Sequence, residues 1–232
     1  DMRAIQMAIH PRILLVILMV MGFMGKGHAV NADVPLTVEE LDAKYVSSED
    51  PNLTLYATLL KSGDQPKPIL AYLPGWGGNR YYVHRDLRNN KFMLDRFFLV
   101  CADMRGRGTK GDKPFGGTPD PVIRKRLSDG PVSDGTPDAN GWELDDIVAA
   151  VEYVKKKYPQ HTLDNPVYVI GHSGGGGNTM GLVGKFPDYF SAAYAGSGMS
   201  DYGKWAQLYQ GLRADVERYV GARTGTSPMA FA

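Results

Sequence analysis

The chain has 232 residues, enough for one large domain, with 43% hydrophobic and 22% charged residues, the balance of a globular protein. A formal net charge of +1 gives no reason to expect a nucleic acid or an acidic partner. The single cysteine, Cys101, excludes an internal disulfide and a cysteine-based zinc site, and its apolar neighbours mark it as a small buried residue.

Arg3, His10 and Arg12 precede an apolar run over residues 13–21, and small residues follow around Ala29 and Ala32. A basic start, a short apolar stretch and a small-residue exit predict a secretory signal peptide over 1–32. The run is shorter than the about 20 residues of a transmembrane helix, so an uncleaved anchor is the lesser alternative. No cysteine stands at the exit of that run for lipid attachment. The expected product is a secreted or periplasmic protein without stable membrane association after cleavage. Its single domain is expected over 33–232.

Residues 37–45 read as a short lead-in helix, and 52–60 as a strand ended by Ser62-Gly63-Asp64. Residues 69–73 form a buried-type strand that runs into Pro74-Gly75-Trp76-Gly77-Gly78-Asn79. Residues 80–96 are helix-compatible. Residues 97–102 give a third strand, which ends at Asp103-Met104-Arg105-Gly106-Arg107-Gly108. A Gly/Pro/Asp-rich connection over 104–141 is a candidate lid or pocket wall. Residues 142–158 carry Leu144, Ile147, Val148, Val151 and Val154 on one helical face. Lys155, Lys156 and Lys157 lie at the C-terminal end of that helix, where its dipole favours cations, and Pro159 follows. A strand up to Ile170, a helix over 178–185, a short strand over 192–196 and an amphipathic helix over 203–219 complete the chain. Strands alternating with helices predict an α/β protein, a three-layer α/β/α sandwich with a mostly parallel sheet.

The chain is organised around Val167-Tyr168-Val169-Ile170-Gly171-His172-Ser173-Gly174-Gly175. An apolar run rich in β-branched residues ends abruptly in glycines, with the spacing Gly171-x-Ser173-x-Gly175. That spacing fits a nucleophile elbow: a serine on a sharp strand-to-helix turn, with glycines where a side chain would collide. The following helix N-terminus offers N–H groups and a positive partial charge to a developing oxyanion. A phosphate loop would need Lys-Ser/Thr after its glycines, and Gly177 is followed by Asn178-Thr179. A dinucleotide fingerprint from Gly174 and Gly176 would need glycine at 179, where threonine stands. No His/Asp/Glu cluster has metal-ligand spacing, so no metal and no other cofactor is expected.

These residues resemble the α/β-hydrolase superfamily, and within it the prolyl oligopeptidase-like (S9-type) serine hydrolase domain. The resemblance runs in order through Leu73-Pro74-Gly75-Trp76-Gly77-Gly78, Asp103 to Gly108, Trp142-Glu143-Leu144-Asp145-Asp146, the elbow, and Ser200-Asp201-Tyr202. It implies that Ser173 is the nucleophile, that Gly171 and Gly175 are the elbow glycines, and that the Gly174 N–H is one oxyanion donor. It assigns the second donor to Trp76, although Pro74 replaces the histidine usual in that loop. Tyr72 or Trp76 would pack near the acyl group or serve structurally. Asp103 and Arg105 are expected as a pair that orders the loop around the elbow.

The triad order on this fold is Ser, then Asp or Glu, then His. No histidine follows Ser173; the five are His10, His28, His84, His161 and His172. The resemblance therefore implies a chain truncated at its C-terminus, with the last strands, the triad acid and the histidine beyond residue 232, and a fragment that is itself inactive. Asp201 is a weaker candidate for the acid, and His84 for a pocket residue. The leading expectation is a serine-type peptidase that acts through an acyl-enzyme on a small-molecule or peptide substrate. The alternatives are a carboxylesterase or acetylesterase and a non-catalytic binding protein on the same fold.

Overall fold

The computed structural model of the protein describes residues 38–107, 130–208 and 213. Six strands form one sheet: β1 (Val38–Val46), β2 (Thr54–Ser62), β3 (Lys67–Leu73), β4 (Phe98–Ala102), β5 (Thr162–His172) and β6 (Ala192–Gly196). Their spatial order is β1-β2-β4-β3-β5-β6. β2 is antiparallel to both β1 and β4, whereas β4, β3, β5 and β6 run parallel. The segments that leave these four parallel strands therefore gather along one edge of the sheet, the usual place for a site in an open α/β fold.

The side-chain period of two sorts the strands into two cores. Ile69, Ala71 and Leu73 of β3 join Phe98, Val100 and Ala102 of β4 and Val167 and Val169 of β5 on one face. Leu70, Tyr72, Leu99, Cys101 and Ile170 face the other way. The first face is covered by α3 (Glu143–Lys157), through Leu144, Ile147, Ala150, Val151 and Val154, and by Leu182 of α4 (Gly174–Lys185). The second is covered by α1 (Tyr82–Leu87) and α2 (Lys91–Arg96), through Val83, Leu87, Met93 and Leu94. The expected three-layer sandwich with a mostly parallel sheet is the observed architecture. A further helix, α5 (Tyr202–Leu208), follows β6.

Several boundaries differ from the sequence expectation. Residues 37–45 were expected as a helix, and residues 38–46 are a strand paired with β2 along its whole length. The Glu-, Ala- and Lys-containing composition favours a helix, but Leu41, Ala43 and Tyr45 alternate with exposed Lys44 and Val46. Nine paired positions on β2 override a weak local propensity. The helix over 80–96 is two short ones, because Asn90 stops the first segment and caps the second by accepting the Met93 N–H at 3.1 Å. The elbow helix begins at Gly174, four residues before its expected start at Asn178. Residues 1–37, including the expected signal peptide, lie outside the described residues. So do 108–129 of the candidate lid and, apart from Arg213, everything after Leu208. No helix among the described residues is long and apolar enough to cross a membrane.

Candidate active site

Ser173 stands at the junction of β5 and α4, with φ 56° and ψ −120°. A positive φ on a serine is a strained conformation of about 1–3 kcal/mol, held by what surrounds it. The Ser173 N–H donates to Gly196 O of β6 at 2.8 Å, and Ser173 O accepts the Gly177 N–H at 3.1 Å to open the helix. The flanking glycines are required by space. A Cβ on Gly171 would lie 2.2 Å from Gly175 O, and one on Gly175 would lie 2.1 Å from Leu73 O. The chain turns back on itself so tightly that the helix backbone rests on the end of β3.

The loop over residues 74–78 reaches the elbow from β3. A Cβ on Gly75 would sit 3.6 Å from Ser173 Cβ and 4.0 Å from its Oγ. A Cβ on Gly174 would sit 2.4 Å from Trp76 N. The backbone nitrogens of Gly174 and Trp76 thus belong to two segments in van der Waals contact beside Ser173. The Trp76 ring is held by Trp205, edge-on at 5.4 Å between centroids, and by Tyr202 at 6.2 Å. A small cleft of about 30 Å³ opens here, walled by Trp76, Gly174, Asn178, Met104, Ala139 and Glu143 among others.

Two buried ion pairs set the loops that bear on the elbow. Asp103 follows β4, and its Oδ1 accepts the Arg80 N–H at 2.6 Å, while Arg80 Nη1 pairs with its other oxygen. Arg80 Nη1 also donates to Pro131 O and Nη2 to Tyr81 Oη, both at 3.0 Å. Burial works against the Arg80 charge, but Asp103 more than restores it, and the guanidinium is held above its ordinary pKa. Arg105 bonds Asp146 of α3, with Nε and Nη2 both 2.7 Å from Oδ2, and Ser47 Oγ donates to Asp146 Oδ1 at 2.6 Å. Burial raises the Asp146 pKa, and Arg105 and Ser47 oppose the rise. Asp103 and Arg105 thus tie down the segments around the elbow separately. Each carries its own partner, Arg80 or Asp146, because the turn after β4 sends the two side chains to opposite neighbours.

Other candidates fall away from the cleft. Tyr72 faces the second core, and its hydroxyl bonds Asp86 of α1. Asp201 is an exposed N-cap of α5, with Oδ1 accepting the Lys204 N–H at 2.9 Å. His161 precedes β5, at the end of an 11-residue strand far from Ser173. His172 is exposed and lies over Gly196 of β6, where a Cβ would be 3.1 Å from its Cδ2. The side chain of His84 is outside the described part of the structure. Sequence reasoning missed Arg80, Asp138 and Glu143. The sequence gives only a weak signal for them: a charge beside a glycine loop, and acidic residues where a helix begins.

The strand order, the crossovers and a strained serine between β5 and the following helix decide the architecture. The chain has the α/β-hydrolase fold. Residues 133–215, less than half of the chain, match the model of the prolyl oligopeptidase family. Solved structures of the same fold include an esterase of Pyrococcus furiosus, at TM-score 0.51 and 18% identity, over 84% of this chain and 67% of that one. An acylaminoacyl peptidase of Pyrococcus horikoshii aligns at TM-score 0.54 and 15% identity, over 86% of this chain and 30% of its own. A prolyl endopeptidase aligns at TM-score 0.52 and 19% identity, over 82% and 24% respectively. The chain thus spans two thirds or less of these hydrolase-fold proteins. No curated protein sequence matches it.

Proposed function

We propose that the protein is a secreted serine hydrolase that works through an acyl-enzyme, foremost a prolyl oligopeptidase-like peptidase. The observation that carries this reading is the left-handed Ser173 between β5 and α4, with the 74–78 loop packed against Gly174 beside it. Strain of this kind persists where it is held for use. Ser173 Oγ attacks the substrate carbonyl carbon, and the carbonyl π electrons move to oxygen. The N–H groups of Gly174 and Trp76 receive that oxyanion. Collapse expels the amine or alcohol with a proton, and water then releases the acid and restores the serine. The Ser173 proton needs a base. His172 lies over Gly196 and His161 precedes the far end of β5, so this reading assigns the base to a histidine whose side chain is not among those described. Secretion rests on the pattern of residues 1–32.

A carboxylesterase is the second reading. It is supported by the structural likeness to the Pyrococcus esterase, which is as close as the likeness to the peptidases. The test begins with a fluorophosphonate probe on the whole protein. Label on Ser173, absent from Ser173→Ala, is the expected result; an unlabelled wild type leaves a binding protein on a hydrolase fold. A matched panel of p-nitrophenyl esters and aminoacyl-p-nitroanilides then separates esterase from peptidase.

A further inference from the structure

Glu143 is the first residue of α3, is 4% exposed, and stands in the wall of the cleft that also holds Trp76 and Gly174. The acyl-transfer steps above make no use of it. Burial pushes its carboxyl up to about pKa 7. Its Oε1 accepts the Asn140 N–H at 2.9 Å, and the backbone of Asp138 also favours its charged form. Asp138 reciprocates, accepting the Trp142 N–H at 2.6 Å and the Glu143 N–H at 3.2 Å. The two carboxylates enclose a turn in which Ala139 has φ 46° and Asn140 has φ 70°. Asparagine tolerates that region, but alanine pays roughly 1–2 kcal/mol for it. The turn packs on the elbow helix, with Asn140 Nδ2 3.5 Å from Gly177 O and Oδ1 2.9 Å from the place of a Cβ on Gly181. Ala139 itself lines the cleft.

We propose that Glu143 is a positioning residue: its carboxylate holds the left-handed turn at Ala139 and Asn140 against the elbow helix, and so sets the cleft wall that faces Gly174 and Trp76. The inference rests on the serine-hydrolase reading for the chemistry that the wall serves. An ionised carboxylate accepts hydrogen bonds from backbone N–H groups at both oxygens. A protonated one turns one oxygen into a donor among donors. The turn itself is therefore held more firmly when Glu143 is charged and loosens as it takes up a proton, although burial makes that charge costly to the fold as a whole. Asp138 of the same turn opposes the Glu143 charge, whereas Arg107 and Arg105 of the segment after β4 favour it. The elbow helix presents the uncharged Asn178 to the cleft, and the 74–78 loop presents no charge.

Amide NMR of the whole protein across neutral pH tests this directly. In the wild type, the Asp138, Asn140, Gly174 and Gly177 amide resonances are expected to move together, with one inflection near neutrality. Ser173→Ala keeps that inflection and Glu143→Gln loses it. Fluorophosphonate labelling of Ser173 in Glu143→Gln slows about tenfold at mildly alkaline pH and loses the same inflection, as expected when a wall shifts by a fraction of an ångström. If Gly174 and Gly177 do not follow Asn140, or if Glu143→Gln labels with the wild-type rate and pH profile, the inference is overturned. A wild type that never labels counts against the hydrolase reading, and the amide titration of wild type and Glu143→Gln, which needs no labelling, still decides whether Glu143 holds the wall.

Discussion

Gly174→Ala isolates the proposed oxyanion contact from the rest of the elbow. The added Cβ would lie 2.4 Å from Trp76 N, 2.8 Å from its Cα and 3.0 Å from its Cβ. Restoring an ordinary separation of about 3.5 Å requires the 74–78 loop to retreat by roughly 1 Å. Gly174 opens α4 and its φ is not in the left-handed region, so alanine itself meets no backbone strain. As a better helix former by at most about 1 kcal/mol, it offsets part of the packing cost. Stability should therefore stay within about 2 kcal/mol of wild type, a Tm change of roughly 4–8 °C for a domain of this size. Reactivity should fall much further. Misplacing one oxyanion donor by 1 Å costs on the order of a hundredfold. The assay is the second-order rate of Ser173 labelling by a fluorophosphonate, with near-UV circular dichroism to verify the fold. A folded variant that labels within about threefold of wild type would refute the pairing of the Gly174 and Trp76 amides at one oxyanion.

Three further outcomes follow from the same geometry. Asp103→Leu strands the Arg80 guanidinium, which is 1% exposed, and should cost about 3–5 kcal/mol in urea unfolding; adding Arg80→Met should recover most of that, and no recovery would mean the pair is not the cause. Glu143, with its folded pKa raised to about 7, holds a proton that the unfolded chain has already released, so stability falls as pH rises from about 4.5 to 7 and is level above. Glu143→Gln should remove that slope and gain up to about 3 kcal/mol on wild type at pH 8, read from urea midpoints; an unchanged slope would show that burial does not oppose this charge. Trp205→Ala removes the edge-on ring at 5.4 Å from Trp76, worth about 0.5–1.5 kcal/mol, and should slow labelling less than Gly174→Ala does; an unaltered rate would mean the stack does not steady the loop.

What could be read in the sequence was what depends on neighbours along the chain. The elbow is legible because Gly171, Ser173 and Gly175 answer to one turn, and the two of them that are glycines have no room for a Cβ. The α3 helix is legible because its apolar residues repeat at helical spacing over fifteen residues. β1 was misread because its pairing partner, β2, decides its conformation, and nothing within residues 38–46 announces that partner. The partners of Asp103 and Arg105 were not legible for the same reason. Arg80 and Asp146 come from distant segments that only the sheet brings near. Glu143 and Asp138 were invisible as a unit, since an acidic residue at a helix start is ordinary until its burial is known.

The distribution of backbone strain carries the case for a working site further than any single contact. Four non-glycine residues among those described have positive φ: Ala139, Asn140, Ser173 and Ser197. Ser173 is the elbow. Ser197 directly follows Gly196, whose carbonyl accepts the Ser173 N–H and lies 2.5 Å from the place of a Cβ on Gly176. Asn140 presses on Gly177 and Gly181 of the same helix, and Ala139 precedes it in the same turn and lines the cleft. All four therefore lie in segments that surround one helix: its own turn, the end of β6 and the turn before α3. Unfavourable conformations scattered at random would weaken a fold of marginal stability without return. Gathered around one serine, with Ser173 and Asn140 held by named hydrogen bonds, they are the arrangement expected of a site whose geometry is fixed before any substrate arrives.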